Sequence, residues 1–276
     1  MLRVLLFVSA SLYGASFVAT TVVRSRPPHV AQLSLHRRLL LLALLSHVGF
    51  TLFRAWCMGR LPFVGKPELL SWFGLSCAVL CLIGAGWLRS RMVIASGVLC
   101  AFIVTASLAV WHEPCALPGI DIIQGAMITW YGAATPLAYA AGVLAFAAQL
   151  RGILAAGRPT GFRDTGGFDV SEESMNAVSA GLVRFAFPLM LSGLLAFGLG
   201  SLEAVGLGWF WQRSIAAQLF TVVAYSILLH LSVSRPASRG AIVVAQSAAL
   251  CGIIVSFLSF DAPHGLMRGV GLDIFL

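Results

Sequence analysis

The chain has 276 residues, of which 59% are hydrophobic and 10% charged, with a mean hydropathy of +0.93. Soluble domains carry about a quarter charged residues, so this balance excludes a water-soluble globular fold and indicates a polytopic membrane protein. The net charge of +8 is spread over several connecting segments rather than gathered in one patch. That distribution speaks for membrane topology and lipid headgroups and against nucleic acid as a partner.

Apolar runs of about 20 residues, enough to cross a hydrocarbon core, fall at eight places: 3–23, 39–57, 69–88, 92–111, 124–149, 179–201, 215–233 and 241–260. They are too long and continuous for barrel strands. Backbone groups in lipid must be satisfied within the segment, so the expectation is an all-α bundle forming one integral membrane domain over 1–276. Met1 to Val23 is read as the first helix rather than a signal peptide, because no clear cleavage site precedes Arg24. Placing 24–38, 89–91, 151–178 and 234–240 in the cytoplasm collects Arg24, Arg26, Arg37, Arg38, Arg89, Arg91, Arg151, Arg158, Arg163, Arg235 and Arg239 there. The other side keeps Arg3, Arg60, Lys66, Arg213 and Arg268, with Arg54 and Arg184 near helix ends. By the positive-inside rule both termini and the connection 201–214 face outward.

In chain order, the second run carries His47 near its middle, for which a structural role hydrogen-bonded to a neighbouring helix is the default reading. Gly59, Pro62, Gly65 and Pro67 punctuate the next connection, and Pro67 with Glu68 suits a helix start. The six cysteines show no C-x-x-C spacing, and Cys77 and Cys81, at i and i+4 on one apolar helix, read as small packing residues. His112, Glu113, Cys115 and Asp121 share an outward loop without a standard metal-ligand spacing. The glycine-bearing connection Arg151 to Asn176 has no phosphate-binding signature, and Ser171-Glu172-Glu173-Ser174 reads as a helix start. Pro188 should kink the sixth helix. No internal repeat of the kind that suggests an inverted-repeat transporter is visible.

The most pointed stretch runs from Ala186 to His230. A connection with Trp209 and Trp211 lies between two apolar runs, where aromatic rings suit a membrane face and can stack on a flat ligand. The following run carries one histidine, His230, and an ionisable group inside a membrane segment is a functional-site hypothesis by default.

These positions resemble the cytochrome c assembly proteins of the CcsA, ResC, CcmC and HemX kind. Trp209 and Trp211 stand where that family has the second and third tryptophans of W-G-x-x-W-x-W-D-P-K-E, and His230 where its next helix ends in L-H. Phe187-Pro188-Leu189 with Gly193 is similar to G-F-P-L-x-x-x-G. Leu45-Ser-His47 with Gly59-Arg-Leu-Pro62 and Glu68 is similar to the family's histidine-bearing helix and following loop, and Leu137 to Ala141 to its S-Y-A-A helix. Ser256-Phe257-Leu258 with Gly265-Leu266 resembles the closing motif, so the similarity spans about 39–271. The departures are equally specific. The first loop tryptophan falls on Val205 and D-P-K-E on Gln212, Arg213, Ser214 and Ile215, while the two outward haem-binding histidines fall on Tyr131 and Met267.

The resemblance implies a protein of the bacterial cytoplasmic membrane that binds, delivers or exports haem b toward apocytochrome c, alongside other cytochrome c biogenesis membrane proteins. His47 and His230 would ligate one iron as a pair of neutral imidazoles from different helices. Trp209 and Trp211 would form a platform above it, with His264, Met267, His112 and Tyr131 as candidate outward ligands. A HemX-like protein regulating tetrapyrrole synthesis through an enzyme partner, and a structural subunit of a membrane complex, are the alternatives; a transporter is weaker because no further buried charges line a path. No hydrolytic or thiol-redox constellation is visible, and no catalytic residue is expected.

Overall fold

The structure, a computed structural model, describes residues 2–22, 30–58, 66–84, 88, 90–111, 126–156, 171–205, 213–233 and 238–259. Among the described residues there is no strand. The described residues form eight helices in order: α1 (Leu2–Val22), α2 (Val30–Met58), α3 (Lys66–Ile83), α4 (Arg91–Trp111), α5 (Ala126–Ala156), α6 (Glu172–Val205), α7 (Arg213–Val233) and α8 (Arg239–Leu258). Among the described residues, seven are long and apolar enough to cross a membrane, and α7 is apolar over Ile215–Leu231.

Helix ends depart from the apolar runs where polar residues are themselves good helix formers. α2 starts at Val30 rather than at 39, carrying Arg37 and Arg38 on helix instead of in the expected loop 24–38. Arginine has nearly the helix propensity of leucine, so loss of hydrophobicity does not end the helix. For the same reason the expected loop 151–178 is helical at both ends, since α5 runs to Ala156 and α6 starts at Glu172. Ser171 sets that start: the Ser174 N–H donates to its Oγ at 3.1 Å, the Met175 N–H donates to its carbonyl at 3.1 Å, and Glu172 and Glu173 meet the positive end of the dipole. Pro188, where a kink is expected, lies inside α6, which is one helix through that residue, as α5 is through Pro136.

The helices form two rings of four. In the first, α1 packs on α2 and α4, and α3 on α2 and α4; in the second, α5 packs on α6 and α8, and α7 on α6 and α8. The rings meet where α5 lies against α3 and α4. Side chains from the starts of odd helices and the ends of even helices cluster together: Leu6 with Phe50, Leu108 and Ala109, and Leu69 with Tyr131, Phe197 and Ile215. The helices therefore alternate in direction, with one end of the molecule holding the α2–α3 and α6–α7 connections. The opposite end holds Arg37, Arg38, Arg91, Arg151 and Arg239, the last donating to Glu172 Oε2 at 2.7 Å.

Without a hydrophobic drive between helices in lipid, close approach by small residues does the packing. At the ring junction Cys77 and Cys81 are fully buried, and a Cβ on Gly97 of α4 would collide with Cys81 Sγ and lie 2.8 Å from Leu144 of α5. Gly142 of α5 makes room for the Tyr225 hydroxyl in the second ring. The outer faces, with Leu41, Leu45 and Leu52 on α2 and Val223 and Ile227 on α7, are exposed and apolar, as lipid contact requires.

Candidate functional site: a buried polar seam in the first ring

α2 presents His47, Thr51 and Arg54 at spacings of four and three, which places them on one helix face. α3 answers with Glu68 and Ser71, three apart. All five are buried. The His47 ring is fully enclosed: Ser71 Oγ lies 2.9 Å from Nε2 and the Tyr13 hydroxyl of α1 lies 3.3 Å from Nδ1. The network is satisfied when Tyr13 O–H donates to Nδ1 while Nε2–H donates to Ser71, a neutral imidazole with both nitrogens engaged. Tyr13 and Phe50 flank the ring, with centroids 6.0 and 6.3 Å away, and Gly74 of α3 lies beside it. Thr51 Oγ1 donates back to the His47 carbonyl at 2.9 Å.

Two turns on, Arg54 donates from Nε at 3.0 Å and from Nη2 at 2.5 Å to the same Glu68 oxygen. With side chains 8% and 5% exposed, this is a buried ion pair inside an apolar bundle. Such a charge is tolerated only when paired, because desolvating one ion alone costs several kcal/mol. From the sequence alone Arg54 is expected near a helix end, with no partner assigned. The signal was there: Arg54 is seven residues from His47, two turns along the same face, and Glu68 is in the first turn of the next helix.

The other expected site residues lie elsewhere. Tyr131, at the position of a family histidine, is buried in the second ring against Phe197, with ring centroids 4.7 Å apart, and its hydroxyl accepts from Gln218 Nε2 at 2.6 Å. His230 is on the exposed face of α7, whose chief neighbours are α6 and α8, whereas those of α2 are α1 and α3. The structure thus does not bring His47 and His230 together. One ring is enclosed with both nitrogens occupied and the other faces outward from a different ring of helices, so these residues do not fit a shared two-histidine haem clamp. Trp209, Trp211, His264, Met267 and His112 lie outside the described residues. Among the described residues no group of three or more His, Cys, Asp or Glu side chains is placed to hold a metal ion. No model of a known protein family matches the chain, and no curated protein does either.

Proposed function

We propose that this is a haem-handling membrane protein of the cytochrome c assembly kind, resident in a bacterial cytoplasmic membrane with both termini and the Trp209–Trp211 connection outward. One observation supports this reading above the others: two positions that carry the resemblance in the first half of the chain, His47 and Glu68, are 21 residues apart in sequence and meet in one buried seam across α2 and α3. The five arginines at the opposite end support the assignment of that end to the cytoplasm. Haem, when bound, would supply a flat apolar macrocycle with a ligatable iron; the chain's own residues hold the seam shut, with Tyr13 and Ser71 occupying the imidazole.

The occupied ring also favours a second reading, a HemX-like protein that acts on tetrapyrrole synthesis through a protein partner without ligating haem. The absorption spectrum of the purified protein distinguishes the two. A Soret band in the purified, folded protein, present as isolated or acquired on adding haem, supports haem handling. A folded protein with no Soret band, alone or after adding haem, overturns the first reading in favour of the second.

A further inference from the structure

The seam in the first ring is fully paired, but the opposite end of that ring is not. α4 starts at Arg91, and all three nitrogens of its guanidinium are buried without a hydrogen-bond partner. The residue before it, Ser90, is 1% exposed and its Oγ is likewise buried and unpartnered, although its carbonyl accepts from the Ile94 N–H at 3.2 Å in the first turn. At the same end of the ring is His36 of α2, buried, with Nδ1 tied to Thr20 Oγ1 at 2.7 Å and Ser16 Oγ at 2.9 Å on α1.

Among the described residues this group holds donors and positive charge without an acceptor to match. Among the described carboxylates, Glu68 is held by Arg54 and Glu172 by Arg239, and Glu173 is exposed at the start of α6. A buried guanidinium left without a counter-charge is strongly unfavourable. The start of a helix adds partial positive charge from free N–H groups, and the hydroxyl of Ser90 stands there as a further donor. The planar fork of arginine matches the oxygens of a phosphate.

We infer that Arg91, Ser90 and the start of α4, beside His36, form a binding site for a phosphate anion at the arginine-rich end of the first ring. Position selects the form of that anion. Arg91 is the first residue of α4, and Arg37 and Arg38 directly follow His36, so charge gathers at this end of the ring as it does at headgroup depth, where anionic lipid is concentrated.

The test uses the full chain, purified in neutral detergent and stripped of lipid, with thermal unfolding followed during titration. One arm adds phosphatidylglycerol in a phosphatidylcholine background; the other adds inorganic phosphate. Phosphatidylglycerol is expected to raise the midpoint by on the order of 5 °C at saturation. Arg91→Gln should abolish that rise while unfolding no lower than the wild type when stripped, because it removes an uncompensated charge. A rise with inorganic phosphate of the same size, lost in Arg91→Gln, supports the anion site with a free ion as its occupant. An unchanged lipid response in Arg91→Gln, no response to either anion, or a stripped Arg91→Gln protein well below the wild type overturns the inference; the last result would mean that the chain itself supplies the counter-charge. Because haem is absent from both arms, these outcomes are independent of the proposed function.

Discussion

Removing the guanidinium from the seam by Arg54→Met leaves the Glu68 carboxylate buried at 5% exposure with its strongest partner gone. Two charge-assisted hydrogen bonds converge on that carboxylate, each worth about 1.5–3 kcal/mol. Breaking a buried pair from one side costs about 3–5 kcal/mol by comparison with other proteins, so the two routes to the magnitude agree. In a chain of this size a loss near 3 kcal/mol lowers the unfolding midpoint by roughly 10 °C. Glu68→Gln should cost less, because the amide oxygen still accepts from Arg54. The double change Arg54→Met with Glu68→Leu, which replaces both ions by apolar groups of similar bulk, should return to within about 1 kcal/mol of the wild type. A double-mutant cycle in reversible detergent unfolding reads these differences. If Arg54→Met alone costs less than about 1 kcal/mol, or if the double change costs the sum of its parts, the pair is not the sealed ionic contact described.

Ser71→Ala should destabilise by about 1–3 kcal/mol by orphaning a buried ring nitrogen, whereas Tyr13→Phe, losing a longer contact of 3.3 Å, should cost less; the same unfolding assay ranks them. Gly142→Ala drives a methyl group into the Tyr225 hydroxyl and to 3.0 Å from Ile253, a loss of about 1–3 kcal/mol that Tyr225→Phe should partly relieve. Gly74→Ala, with ordinary contacts of 3.5 Å to His47 and Val104, is the tolerated control. Cysteines placed at Ser214 and Ser238, on either side of α7, should label from opposite sides of the membrane; labelling of both from one side would remove α7 from the spanning set.

The existence and order of the helices were legible because apolar length is a nearly direct readout of a bilayer. What faced what was not, because an apolar run looks alike on all sides. For α7 a finer rule was available: small and polar residues mark helix contacts in membranes. Ala217, Gln218, Thr221, Ala224, Tyr225 and Leu228 form the buried face, and His230 falls outside that register, next to Ile227. Weighting the lone histidine by its chemistry, rather than by its place on the helix, led to the expectation of a shared ligand pair. His36 is hidden in the sequence for the reverse reason, since it falls in the connection expected over 24–38, which α2 in fact covers from Val30 onward. The two rings escaped notice because their linings differ: His47, Arg54 and Glu68 in one, Tyr131, Gln218 and Tyr225 in the other. Packing repeats while chemistry does not.

Four helices per ring is an even number, so the second ring enters the bundle in the same sense as the first. A repeat of that kind is related by an axis along the membrane normal rather than one lying in its plane. Corresponding steps of the two halves therefore emerge on one side only. The step from α2 to α3, next to the Arg54–Glu68 pair, corresponds to the step from α6 to α7, while Arg91 at the start of α4 belongs to the other side. The molecule is accordingly two-sided, with the buried Arg54–Glu68 pair towards one end and Arg37, Arg38, Arg91, Arg151 and Arg239 at the other.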